Sequence, residues 1–388
     1  MLSLGTRFAK FHTKGEGSII LKFKSIYLEL MGALRILLAI AVLGFHSGLQ
    51  ILGPFAVYVF FIISGYAIFS GLKDTKQSES KLVGFLKRRL KKLLPAYFLT
   101  CFVVSILCVL LEKLFPNSSL EFVTENSAFK NVNLFEILKT WIPRATLDSE
   151  ILALNPNVLL VHPWWSVMFE LGFYILCASI FIQKNLIKIF LALYFIIALS
   201  LHVLLVIRTG QDLSKLNALI YFNFFGTVIF FMFGNLISYF SKAKFENRVL
   251  NSLAGLLIIG TIFMFPMVFG DPTQILPGKP VSGYLLILYL ITLFTFVYLF
   301  TLNIHKPTGR IDAFLANHSY GIYVYQSLSF PIIAISEREL HFPVTTGIQR
   351  FLVIFIFTAL LSLIGDYFIS KLGSSKSSLT DRYPKTLP

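Results

Sequence analysis

The sequence predicts an all-α fold, a polytopic transmembrane helix bundle of about ten transmembrane helices with both termini in the cytoplasm. Of its 388 residues, 56% are hydrophobic and only 14% are charged, whereas soluble domains carry roughly 25% charged residues. Apolar windows of about twenty residues, enough to cross a bilayer as a helix, recur along the chain. Lys and Arg gather in every second loop between these windows.

The apolar windows place the predicted helices in chain order, and together they form one membrane domain. They are Leu30–Leu52, Phe55–Leu72, Leu93–Phe115, Pro163–Ile182, Leu186–Ile207, Ala218–Phe240, Leu250–Phe269, Val281–Leu302, Ile311–Ile335 and Ile348–Leu372. We expect a basic cytoplasmic segment over residues 1–29, the membrane domain over 30–372 and a cytoplasmic tail over 373–388.

The loop charges set the predicted orientation in the cell's inner (plasma) membrane. Basic residues precede the first span and follow the second, fourth, sixth, eighth and tenth, whereas residues 49–54 carry no charge. Because Lys and Arg favour the cytoplasmic side, both termini are predicted to lie there. The net charge of +15 is explained by this topology, and no nucleic-acid motif accompanies it. The three cysteines have no His or carboxylate at metal-ligand spacing, so no metal site is predicted.

Two ionisable side chains share one face of the first span. Arg35 and His46 are separated by about three helical turns, or about 16 Å along the axis. A charge at bilayer depth costs at least ~2.5–3.5 kcal/mol, so it needs a partner, a cavity or a function. His46 is suited to act as a general base for a hydroxyl nucleophile, and Arg35 is suited to bind phosphate or carboxylate. A structural ion pair, or a snorkelling Arg with a capping His, explains them equally well.

A carboxylate and a basic segment add to this pattern. Glu170 lies about two turns into the fourth span, and its natural partners are Arg35 or His46. The stretch FLKRRLKKLLPAYFLT is interpreted as a basic loop followed by a helix that starts near Pro95. Within it, Arg89 and Lys92 stand at i, i+3, so one helical turn would direct both at a polyanion such as the phosphates of a nucleotide-bearing donor. Topology alone also explains a basic loop here.

Four ordered motifs resemble the membrane acyltransferase-3 family. They are Arg-x10-His (Arg35 and His46), GPFAVYVFFIISGYAI, KRRLKKLLPAY and WWSVMFELGFYIL, with SYGIYVYQ as a weaker fifth. The resemblance extends from about Tyr27 to Asp366. Lys92 stands where the family has the second Arg of R-x-x-R, so the forked bidentate contact is lost. Gln326 replaces a common His, so a proton role is absent there.

The resemblance implies an integral membrane O-acyltransferase, typically an O-acetyltransferase. It would move an acyl group from cytoplasmic acyl-CoA, expected to be acetyl-CoA, to a hydroxyl of an extracytoplasmic glycan such as capsule, exopolysaccharide or O-antigen. The implied catalytic residues are His46, Arg35 and Glu170. The expected donor-binding residues are Arg88, Arg89, Lys91 and Lys92, and the expected substrate-binding residues are Ser64, Trp165, Ser166, Ser319, Tyr323 and Gln326. Expected partners are membrane lipid, a glycan or glycolipid acceptor and polysaccharide biosynthesis machinery.

Two other classes of protein fit some of the same residues. A proton-coupled transporter or flippase would use Arg35, His46 and Glu170 as a relay. The sequence shows no convincing internal repeat, whereas many carriers are inverted duplications, and the basic segment has no evident use in transport. A scaffold for a glycan synthase is the third class, and the ionisable residues within the spans argue against it.

Overall fold

The computed structural model describes residues 30–49, 51–73, 79–114, 164–182, 196, 200, 224–240, 248–269, 283–302, 310–339 and 347–373. This part of the chain forms nine helices and no strand. They are α1 (Leu30–His46), α2 (Gly53–Lys73), α3 (Glu79–Leu114), α4 (Trp164–Ile182), α5 (Phe224–Phe240), α6 (Arg248–Phe269), α7 (Gly283–Leu302), α8 (Arg310–Glu339) and α9 (Gly347–Gly373). The predicted all-helical class is confirmed for these residues.

Three of these helices contain a segment long and apolar enough to cross a membrane, namely Gly53–Ser70, Val83–Leu107 and Gly347–Ile369. Shorter apolar segments lie in five others, including Met31–His46 and Trp165–Cys177. The predicted fifth span, 186–207, lies outside the described residues apart from positions 196 and 200, and so do the N-terminal segment and the tail. The total of ten spans and their orientation stay predictions.

Helix α3 differs from the expectation that a basic loop precedes the third span. The basic stretch is helical, and Pro95 lies inside a continuous helix of 36 residues rather than at its start. Leu, Lys and Arg have high helix propensity, and their summed preference extends the helix through this segment. An internal Pro removes one backbone hydrogen bond, which membrane helices tolerate when neighbouring groups compensate. The donor-binding candidates therefore belong to a helix.

Helix α2 lies at the centre of the bundle, where it packs against α1, α4, α5 and α7. Its contact with α5 is close because two glycines face the opposing backbone. A Cβ at Gly65 would overlap the carbonyl oxygen of Phe231, and one at Gly234 would overlap that of Ile62. Small residues at such crossings let membrane helices pack backbone to backbone. This packing fixes α2, which forms one wall of the site described below.

Helix α8 joins the other side of the bundle through contacts with α1, α3 and α9. Near its start, the fully buried Asp312 accepts hydrogen bonds from the backbone N–H groups of Gly32 and Ala33 through Oδ1. These N–H groups belong to the first turn of α1, where backbone N–H groups have no carbonyl acceptor within the helix itself. A carboxylate from α8 therefore caps α1 and sets the depth at which its charged residues lie.

Candidate active site

A cavity of about 860 Å³, including the part open to solvent, lies between α1, α2, α3, α4 and α8. Along α2 its lining extends from Val57 to Ile68, which at 1.5 Å per residue is about 16 Å of helix. Phe60 and Phe61 contribute much of the apolar wall. The length of this lining is about half the thickness of a bilayer core.

One end of the cavity carries a cluster of charges. Arg35 from α1, Arg89 and Lys92 from α3 and Glu170 from α4 all line it. The charges of Arg35 and Lys92 interact with each other, with Arg89 and with Glu170. Three cations meet one carboxylate, so when all four are ionised the cluster is positive and is suited to bind an anionic ligand.

Tyr174 organises this charged end from α4. Its hydroxyl donates a hydrogen bond to Glu170 Oε1, one helical turn earlier. The guanidinium of Arg89 lies 5.5 Å from the centre of the Tyr174 ring and 5.4 Å from that of Phe85. Such cation–π contacts hold an arginine in place without neutralising it. Arg89 is therefore fixed in place where it lines the cavity.

Buried hydroxyl groups line the cavity beyond the charged end. The hydroxyls of Ser166 on α4 and Tyr323 on α8 are 2.7 Å apart and share a hydrogen bond. Ser319 lies one turn before Tyr323 on α8, and Ser64 contributes from α2. Ser166, Ser319 and Tyr323 are buried, whereas Lys92 is exposed. The cavity therefore becomes more enclosed from the cations towards the hydroxyl pair.

The structure brings together eight of the thirteen residues predicted for the site, since each of them lines the cavity. They are Arg35, Ser64, Arg89, Lys92, Ser166, Glu170, Ser319 and Tyr323. Glu170 was expected to pair with Arg35 or His46. Its charge does interact with Arg35, while its hydrogen bond comes from Tyr174.

His46 does not line the cavity. It is the last residue of α1, it is exposed, and its ring meets those of Phe45 and Phe330 edge to face at 5.5 and 6.1 Å. Phe330 follows Tyr323 by two turns of α8, or about 10 Å. The predicted base therefore lies beyond the hydroxyl end of the cavity, on the side away from the cations.

Four further predicted residues also lie outside the lining. Arg88 and Lys91 are exposed on the other face of α3. Trp165 is 2% exposed and packs edge to face on two phenylalanine rings, so it is a core residue rather than part of the cavity lining. Gln326 is 1% exposed, and its Nε2 donates to the backbone carbonyl of Tyr323 at 2.7 Å. It lies on α8 between the cavity and Phe330.

The sequence interpretation missed Tyr174 and Asp366. Tyr174 was detectable, because it follows Glu170 by four residues and such residues share a helix face. Asp366 was also detectable, because an ionisable residue within a predicted span indicates a function or a partner. Its partner is His318 on α8, with Nδ1 and Oδ2 2.7 Å apart.

Comparison with known proteins gives one match. A family model described as an acyltransferase domain matches residues 29–367, most of the chain, and this range includes every residue of the site described above. No curated protein and no solved structure matches the chain. The family indicated by the four motifs is confirmed. With its apolar helices, the chain is a membrane acyltransferase and belongs to the acyltransferase-3 family.

Proposed function

We propose that this enzyme is an O-acyltransferase, and specifically an O-acetyltransferase, of the inner (plasma) membrane. It takes an acyl group from acyl-CoA at the cytoplasmic face and delivers it to a hydroxyl of an extracytoplasmic glycan. One observation carries the proposal: a single cavity connects a cluster of three cations with a buried pair of hydroxyl groups. A polyanionic donor matches the first end, and a hydroxyl acceptor with its acyl group matches the second.

The donor binds at the charged end. Arg89 and Lys92 lie on one face of α3 and point into the cavity, where they contact phosphate groups of coenzyme A. Arg88 and Lys91 lie on the exposed face of the same turns and contact phosphates that stay outside the cavity. Arginine offers forked hydrogen bonds to phosphate, whereas lysine acts as a point charge. The pantetheine arm then extends along the phenylalanine wall towards Ser166.

The acyl group moves by attack of the acceptor oxygen on the thioester carbonyl. The new C–O bond forms, the C–S bond breaks, and coenzyme A leaves as a thiolate that takes up a proton. His46 accepts the proton of the acceptor hydroxyl, and Arg35, at the charged end, stabilises the bound donor. Because His46 lies beyond Tyr323, the acceptor enters from that end of the bundle.

The remaining residues position the reactants. Ser64, Ser166, Ser319 and Tyr323 supply hydroxyl groups that hydrogen-bond the acyl carbonyl or the acceptor. Glu170 is the half-buried acid of the charged end and orders the neighbouring cations. Two predicted substrate residues lie just behind this lining: Trp165 supports α4 by packing, and Gln326 supports the backbone next to Tyr323.

Membrane vesicles of both orientations test this function. We expect labelled acetyl-CoA, added outside, to transfer its label covalently to a glycan or glycolipid in inside-out vesicles containing the chain. Sealed right-side-out vesicles should transfer none, because the donor site faces their lumen. Vesicles lacking the chain serve as the control. Transfer only by right-side-out vesicles would reverse the proposed direction, and absence of covalent transfer with every envelope glycan offered would contradict the enzyme's proposed reaction.

A further inference from the structure

Helices α8 and α9 carry a titratable pair that the proposed reaction does not use. His318 Nδ1 and Asp366 Oδ2 are 2.7 Å apart, with side chains 17% and 34% exposed. The ring of Phe314 lies 4.2 Å from that of His318, centre to centre. Ionisable residues are costly to bury within a membrane domain, so their presence indicates a specific use.

The pair lies next to the mouth of the cavity. Tyr320 lies two residues after His318 on α8. Its hydroxyl donates a hydrogen bond of 2.9 Å to the backbone carbonyl of Leu93. Leu93 directly follows Lys92, and α3 also packs against α9. The hydrogen bond and the pair therefore join α3, α8 and α9 at the level of Lys92.

Asp366 and Lys92 also interact through their charges. The other charged groups that act on Lys92 are Arg35 and Arg89, which repel it, and Glu170, which attracts it. The lysine thus has a carboxylate within the cavity and a second one on α9. A lysine ammonium is a mobile point charge on a flexible stem, so fixed neighbouring carboxylates decide where it lies.

We propose that His318 and Asp366 are positioning residues for Lys92, and that they place its ammonium at the cavity mouth for the anionic donor. His318 holds the Asp366 carboxylate through the 2.7 Å contact between Nδ1 and Oδ2, and Asp366 in turn orients the ammonium. The inference rests on the proposed function, since it assigns Lys92 to donor binding.

Steady-state kinetics of the full-length chain in lipid nanodiscs test this role. Asp366→Asn keeps the side-chain shape and removes the charge, and His318→Leu removes the contact made by Nδ1. We expect each variant to raise the KM for acetyl-CoA about fivefold, because this is the order expected for loss of one screened charge contact. The kcat should stay within about twofold of that of the native chain. His318→Asn should keep the KM low, because its Nδ2 takes the place of the imidazole Nδ1.

The matched control is Ser329→Ala. Ser329 and Thr358 form a 2.6 Å hydrogen bond between the same two helices, about three turns away along α8. We expect this variant to leave KM and kcat unchanged. An equal rise in KM for Ser329→Ala, or a fall in kcat at constant KM for Asp366→Asn, would show general damage to the helix pair and overturn the proposal.

The two proposals fail in different ways. If the native chain transfers no acyl group, the proposed reaction is contradicted. A chain that transfers acyl groups normally, but whose KM is the same in Asp366→Asn and His318→Leu, contradicts the positioning role alone. Should His318→Leu fail to accumulate, Asp366→Asn decides the question, because it replaces only one carboxylate oxygen by an amide nitrogen and preserves the packing.

Discussion

Arg35 and His46 belong to one face of α1, yet only Arg35 lines the cavity. Their separation along the helix, about 16 Å, is similar to the length of the cavity lining on α2. Arg35 therefore lies among the donor cations, while His46 lies past the hydroxyl end beside Phe330. The two residues of one motif are assigned to opposite ends of the reaction path, and donor binding and proton removal should be separable by mutation.

Replacement of His46 by alanine tests this separation. We expect His46→Ala to lower the rate of acyl transfer by about 100-fold or more, the usual contribution of a general base. Binding of acetyl-CoA, measured by isothermal titration in nanodiscs, should stay unchanged because the imidazole is outside the donor cavity. Arg89→Ala should instead lose binding of acetyl-CoA in the same titration.

The adjacent residue provides the control for this experiment. Ser47 is buried, and its hydroxyl donates to the carbonyl of Leu43 at 2.6 Å, so Ser47→Ala perturbs the end of α1 without touching the imidazole. This variant should retain its transfer rate. A His46→Ala variant that forms product at a near-normal rate would refute the assignment of the base.

At the scale of elements, the site depends on how closely helices approach one another. Helix α2 forms a wall of the cavity, and its place is set by the glycine contacts with α5. Helix α3 supplies Arg89 and Lys92 from a continuous helix, which fixes their direction more firmly than a loop would. Asp312 at the start of α8 caps α1 and sets the depth of Arg35.

Replacement of Gly65 by alanine tests the importance of the α2–α5 crossing. The added methyl group would overlap the carbonyl oxygen of Phe231, so the helices must separate. We expect Gly65→Ala to destabilise the chain by about 1–3 kcal/mol, measured as a lower thermal midpoint in detergent. Acyl transfer should fall as the cavity wall moves.

Gly260 on α6 offers a matched control, because among the described residues no neighbouring element comes within 4 Å of a Cβ at this position. Gly260→Ala should leave the thermal midpoint equal or slightly higher, since alanine has the greater helix propensity. Equal midpoints for both variants would show that the close approach at Gly65 contributes nothing to stability.

At the scale of the whole molecule, the direction of acyl transfer follows from the orientation of the bundle. The positive-inside pattern predicts that both termini, and therefore the cations of the cavity mouth, lie in the cytoplasm. With α1 starting there, His46 at its end faces the opposite side. The orientation is thus the link between the charge pattern of the loops and the proposed reaction.

Labelling with a membrane-impermeant maleimide tests this orientation. We expect single cysteines introduced in residues 116–162 to react in intact cells, and cysteines introduced in residues 374–388 to react only after the membrane is opened. The native Cys101 and Cys177 are buried and should contribute little background. Reaction of the tail in intact cells would contradict the predicted cytoplasmic location of the C-terminus.

The sequence by itself determined the helical class, the membrane location and the family, because these depend on local composition and on motifs that are contiguous in the chain. It also identified Arg35, Arg89, Lys92 and Glu170 as members of a site. Each is an ionisable residue within or beside an apolar run, where the free-energy cost of placing a charge in the membrane makes it conspicuous.

Only the tertiary structure decided which of these residues share a cavity. It separated His46 from Arg35 and turned Arg88 and Lys91 away from the lining, since a helix directs neighbouring residues to different faces. It also joined His318 to Asp366 across two helices. Contacts between helices depend on crossings such as the one at Gly65, where backbone geometry rather than side-chain pattern sets the distance, and the linear sequence does not specify that geometry.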